Sequence, residues 1–116
     1  MSNQDKSDKS DKIAVTSTGG SMDAILSEQF GRCQYFLIVD PGTMKFEAFS
    51  NLGEQMQSGA GPKAAELIIS KGAKVLITGH VGDKAAEVLN KGGIKIIDGY
   101  KGTIKIKDAV QLYLSK

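Results

Sequence analysis

The chain carries one thiol, Cys33, and one imidazole, His80. Both side chains are ligands for iron and its neighbours among the transition metals. One thiolate cannot hold an ordinary iron–sulfur cluster, which takes four protein ligands. No second cysteine or histidine exists to complete a tetrahedral zinc set. As a functional ligand Cys33 would anchor a cluster that arrives assembled or share one between subunits, and His80 would be a further metal ligand on the same sheet edge. Arg32 precedes Cys33 and supplies a cation that favours the thiolate and attracts an anion. A plain packing role stands beside this reading. A lone cysteine is often a small buried hydrophobe, and His80, set in a turn, can simply be exposed. Met22 and Met56 bring thioethers to loops, where packing is the simpler assignment.

Two glycine-flanked helix starts add a second kind of chemistry. Gly61-Pro62 opens one helix and Gly79-His80-Val81-Gly82 leads into another at Asp83. Free N–H groups at helix starts favour anions. GHVG is not a Walker A loop, and GAGPKAA is not a dinucleotide fingerprint. The first strand, IAVTS, lacks the carboxylates that a Mg²⁺-dependent nuclease needs. No Ser-His-Asp or Cys-His-Asp set is evident, so the expectation is a binding protein and not an enzyme.

The elements that must position these groups follow from local pattern. IAVTS (13–17), YFLIVD (35–40), VLIT (75–78) and IKII (94–97) read as strands, and MKFEAFS (44–50) alternates with Met44, Phe46 and Ala48 on one face. Asp40-Pro41-Gly42-Thr43 is a turn signal, which makes 35–50 an antiparallel hairpin. Helices are expected from Gly61-Pro62 to Lys71-Gly72, over 83–91, and between Thr103 and Ser115. Ser21 or Asp23 is placed to cap a single helical turn through Leu26. The long segment 18–33 has the length of a functional loop. The order βββαβαβα implies an α/β, three-layer domain: a five-stranded mixed sheet of order 3-2-1-4-5 with strand 2 antiparallel. That topology gathers the loops carrying Cys33, Gly61 and His80 at one sheet edge, where the strand order reverses.

Bulk properties narrow the field. The chain has 116 residues, enough for one domain with one core. A formal net charge of +2 with scattered lysines gives no nucleic-acid footprint. No apolar run is long enough to span a bilayer, and no signal peptide is visible. A single cysteine fits a cytoplasmic protein. Residues 1–12, MSNQDKSDKSDK, balance three Lys against three Asp and read as a disordered polar tail before the domain at 13–116.

Four segments, IAVTS, SEQFGRCQYFLIVD, GAGPKAAELIISKGAKVLITGHVG and AAEVLNKGGIKII, together resemble the dinitrogenase iron–molybdenum cofactor biosynthesis family, also called nitrogenase accessory factor-like. The resemblance runs from Ile13 to about Leu114 and implies a ribonuclease H-like motif. It also implies that the chain binds, carries or protects an iron–sulfur or iron–molybdenum type cluster or its precursor, with cofactor-biosynthesis proteins as partners. Better-characterised members carry a histidine before the Phe-Gly of the first long loop, proposed as a cluster ligand. Here Gln29 takes that place, and glutamine is a poor iron ligand. The site expected from residues and resemblance together is Cys33 and His80 as metal ligands, with Gln29, Arg32, Gly61, Gly79 and Gly82 around the cofactor. A cofactor-free interaction or regulatory module of the same fold is the alternative, and an enzyme acting on a small anion a third. Oligomeric state does not follow from the sequence.

Overall fold

The computed structural model describes residues 11–51 and 58–116. The expected tail, apart from Asp11 and Lys12, and the loop position Met56 lie outside the described residues. The elements are β1 (Ile13–Ser17), β2 (Tyr35–Val39), β3 (Phe46–Ser50), α1 (Ala60–Ser70), β4 (Val75–Ile77), α2 (Asp83–Lys91), β5 (Lys95–Ile97) and α3 (Ile106–Leu114). Lys12 is already tied to the sheet, because its carbonyl accepts the N–H of Lys74 at 3.0 Å.

The five strands lie in the order β3-β2-β1-β4-β5. β1 is antiparallel to β2 and parallel to β4, and β4 is parallel to β5. β1 is buried along its whole length, which is why its sequence shows no polar alternation. Its two faces meet different layers. Ala14, with Phe36, Ile38 and Leu76, packs against Ala64, Ala65 and Ile68 of α1 and Ala85 and Leu89 of α2. Ile13 and Val15, with Leu37, Val39 and Ile77, pack against Ile106, Ala109 and Val110 of α3. The helical positions recur at spacings of three and four, so each helix turns one apolar stripe to the sheet. Among the described residues no helix is long and apolar enough to cross a membrane.

Glycines end the first two helices as their sequence suggests. Gly72 (φ 84°) and Gly93 (φ 77°) take the left-handed conformation. The next N–H groups, of Ala73 and Ile94, then reach back to Ile68 and Leu89. Both following side chains are buried, the apolar contact that accompanies this kind of stop.

Two local expectations are corrected. There is no helical turn through Leu26; a turn at Met22–Asp23 is followed by isolated bridges, Ile25 to Lys105 and Leu26 to Ser17. The backbone groups are engaged elsewhere: Leu26 N–H donates to Ile104 O at 2.9 Å, and Ile106 N–H donates to Ala24 O at 2.9 Å. An isolated helical turn has too costly a nucleus to compete with such pairing. The third strand starts at Phe46 and not Met44. Met44 sits in the hairpin turn at φ 61°, its N–H bonded to Asp40 O at 2.7 Å. Phe46 and Ala48 do share a face, but that face is exposed.

Tyr100 tests the α3 layer. Its hydroxyl is buried and finds no hydrogen-bond partner among the described residues. Burial, and then the neighbouring Tyr113, push the phenol above its ordinary range near 10. The unfolded chain therefore ionises first, and the folding stability falls as pH rises above about 10. Tyr100→Phe removes an unpaired polar atom. It is expected to keep or raise stability by up to about 1 kcal/mol and to weaken that alkaline loss. Urea unfolding at neutral pH and above pH 10 checks both.

Candidate functional site

β1 and β4 run parallel, and near their C-terminal ends stand two buried hydroxyl residues, Thr16 within β1 and Thr78 directly after β4. Thr16 Oγ1 lies 2.6 Å from the carbonyl of Ser27 and 2.8 Å from Thr78 Oγ1. Each hydroxyl has one proton, so with Thr16 donating to Ser27, Thr78 is the donor within the pair. The long loop after β1 is thereby drawn over the strand ends. Ser27 N–H donates back to Thr16 O at 2.9 Å.

The loop then meets the turn after β4. His80 N–H donates to Glu28 O at 2.7 Å, and Phe30 N–H donates to His80 O at 3.1 Å, which forms a parallel bridge between Gln29 and His80. Phe30 anchors the far side. It is buried, and its ring lies 5.5 Å from that of Phe36, tilted by 56°. Glu28 reaches forward and accepts the N–H of Gly102. Gly79 allows the approach, since a Cβ there would lie 2.7 Å from the Cα and carbonyl oxygen of Glu28.

Beside this bridge is a cleft of about 710 Å³. One wall is Gln29 to Arg32. The others are the start of α1, from Ser58 to Pro62, and the start of α2 with His80, Gly82, Asp83, Lys84 and Ala85. Neither helix start has a side-chain cap: the N-caps are Gly59 (φ 75°) and Gly82. α1 also has no acidic residue in its first turn. The orphan N–H groups of two helices therefore open onto one space, each a partial positive charge. Arg32 and Lys84 add full charges to the lining and Asp83 subtracts one. At the floor, backbone meets backbone and one methyl group. A Cβ on Gly31 would come within 2.9 Å of Gly61, and a Cβ on Gly61 within 3.0 Å of Ala85.

The expected site residues separate into lining and support. Gln29, Arg32, Gly61, His80 and Gly82 line the cleft. Gly79 does not; it lets the two loops close. Cys33 does not either. It is 1% exposed and packs in the core with Phe30, Phe36 and Ala64. Phe30-Gly31 turns the chain inward there, so the thiol enters the protein while Arg32 stays exposed. Met22 packs, half-buried, against the α3 layer.

Asn51 is a residue that sequence reasoning passed over. Only 5% exposed, it donates from Nδ2 to the carbonyls of Gly31 and Cys33, both at 2.9 Å, and lies 3.8 Å from Cys33 Sγ. It ties the end of β3 to the Arg32 turn. Its only sequence signal was a polar residue directly after a strand. Among the described residues no three His, Cys, Asp or Glu side chains group to hold a metal ion. The cleft offers N–H donors, two cations, one carboxylate, one amide and one imidazole. It suits an anion whose metals, if it has any, already carry their own ligands.

Gly79→Ala is expected to push Glu28 and His80 apart and cost about 1–3 kcal/mol. Urea unfolding reads the loss. Amide exchange at His80 and Phe30 should rise more than in β1.

Comparisons with known proteins identify the family and the fold. A profile of the dinitrogenase iron–molybdenum cofactor family matches residues 11–116. An uncharacterized protein of Methanocaldococcus jannaschii is 36% identical over 93 residues, which is 77% of this chain and 76% of that protein. The apo form of the orange protein from Desulfovibrio gigas superposes with a TM-score of 0.87 at 38% identity, covering 90% of this chain and 88% of the other. A NifB-like protein from Thermotoga superposes with a TM-score of 0.78 at 28% identity, again over 90% and 88%. With the match spanning every described strand and helix, the chain belongs to the dinitrogenase iron–molybdenum cofactor family.

Proposed function

We propose that the chain is a small carrier for an anionic metal–sulfur cargo, of the iron–sulfur or iron–molybdenum type, and not a catalyst. One observation carries the reading: two uncapped helix starts and Arg32 line a single cleft. Family membership supports this class of cargo.

The chemistry follows from the donors present. Backbone N–H groups at the helix starts can donate to the outer sulfur or oxygen atoms of a cluster, spreading its negative charge over several weak bonds. Arg32 and Lys84 hold it electrostatically. His80 supplies one imidazole, suited to a single exchangeable bond to iron. Gln29, bridged to His80 through the backbone, presents an amide that donates without coordinating strongly. Cys33 serves the wall and not the cargo, because its sulfur is buried among apolar side chains. Holding a complete cluster by many weak contacts lets the cargo leave as readily as it enters. That suits exchange with cofactor-biosynthesis proteins as donors and acceptors.

A second reading has its own observation. Gln29 stands where a family histidine is expected, which favours a cofactor-free interaction or regulatory module. Anaerobic incubation with iron and sulfide, and separately with a preformed cluster, separates the two by absorption and EPR. The carrier reading expects uptake from the preformed cluster. Failure of both, with a protein partner captured free of metal, would favour the module.

Gly82 offers a sharper test. A Cβ there meets nothing within 4 Å, and its φ of −70° suits any residue. Gly82→Asp would cap α2 and raise stability by about a few tenths of a kcal/mol. It also places a carboxylate in the cleft, so uptake should fall by roughly tenfold or more. His80→Ala should lower uptake, and Cys33→Ser should leave it intact. Loss of uptake in Cys33→Ser without loss of stability would return the thiol to the site.

A further inference from the structure

We infer that β3 is a self-association edge, through which two copies of this chain pair antiparallel and join their sheets into one. The starting point is where the backbone of β3 points. Asp40 N–H donates to Lys45 O at 2.8 Å, and Asn51 N–H donates to Gln34 O at 3.0 Å, bracketing the ladder with β2 at both ends. Between them the register runs from Val39 opposite Phe46 to Tyr35 opposite Ser50. Alternate residues of an antiparallel strand send their backbone groups to opposite sides. Lys45, Glu47, Phe49 and Asn51 therefore turn theirs to β2. Phe46, Ala48 and Ser50 turn theirs away from the sheet, and among the described residues no hydrogen bond takes them up.

The side chains fit the same use. β3 is exposed at every position but Phe49, which is half-buried, and Phe46 keeps 39% of its surface in water. The opposite edge is a poorer template, since β5 has three residues and begins with an exposed lysine. The occupant follows from symmetry and charge. A two-fold axis at Ala48 uses every outward group. It sets Phe46 opposite Ser50 of the second copy, Ala48 opposite Ala48, and Glu47 opposite Phe49. Lys71 Nζ lies over the Phe49 ring, 4.3 Å from its centroid. Glu47 of each copy thus arrives beside Lys71 of the other, two reciprocal ion pairs on one face. Phe46 covers Ala48 and Ser50 of the second copy on the other face. Shifting the axis to Glu47 would set two carboxylates opposite each other, which cross-strand pairing disfavours. Full use of the outward backbone groups and the Glu47–Lys71 pairing together select the partner, a second copy, and the register.

Sedimentation equilibrium of the full chain over a range of concentrations tests this. A monomer–dimer equilibrium is expected, weakening with salt. Ala48→Pro removes an N–H that the monomer does not use, and proline is tolerated on an edge strand. It should keep the monomer fold by circular dichroism and abolish the dimer. Glu47→Lys should weaken association by roughly tenfold. Combining it with Lys71→Glu should restore association. These charges are at the surface, so the swap decides the matter even where Ala48→Pro fails to fold. A chain that stays monomeric at every concentration overturns the inference. So does a dimer that ignores both Ala48→Pro and the charge swap.

Discussion

Two backbone hydrogen bonds, His80 N–H to Glu28 O and Phe30 N–H to His80 O, fasten the loop after β1 to the turn after β4. Without them the long loop would have no fixed relation to the helix starts. They form only because three conditions hold at once. Thr16, near the end of β1, holds Ser27 over the sheet and is bonded to Thr78 just after β4. Gly79 has no side chain to keep Glu28 away. Phe30 is buried against Phe36 and keeps the loop from lifting. The cleft is the space left beside this bridge once α1 and α2 have packed on the same face of the sheet.

Much of the fold could be read from local pattern. The buried strands lack alternation, the helices repeat at three and four, and glycines stop the first two helices. Strand order follows from the arrangement of the elements, and the sheet has that order. The loop 18–33 resisted reading for a physical reason. Its partners, Ile104, Lys105 and Ile106, lie about 80 residues on in the chain, and no local signal announces pairing at that distance. Met44 misled in a simpler way. An apolar residue in phase with Phe46 and Ala48 looks like strand, yet the hairpin turn needed a left-handed residue there.

The site was legible in part and for uneven reasons. Gly61, Gly82 and His80 stand at helix starts, and topology alone brings helix starts to one edge. Cys33 and Arg32 are adjacent in sequence but opposite in orientation, one buried and one exposed, and spacing cannot separate neighbours of that kind. Asn51 was invisible because its role depends on the third dimension. A polar side chain after a strand is ordinary until two carbonyls of another loop are found on it.

The floor of the cleft, where Gly31, Gly61 and Ala85 meet, has an entropic consequence. Side chains that line a binding surface usually surrender rotamer freedom when a ligand arrives, at about 0.5–1.5 kcal/mol for each long one. Glycine and alanine have no rotamers to surrender. The floor therefore has the same number of conformations empty and filled, and the ordering cost falls on the rim, on Gln29, Arg32, His80 and Lys84. A ligand in this cleft would meet a floor that cannot rearrange and, around it, charged side chains that can.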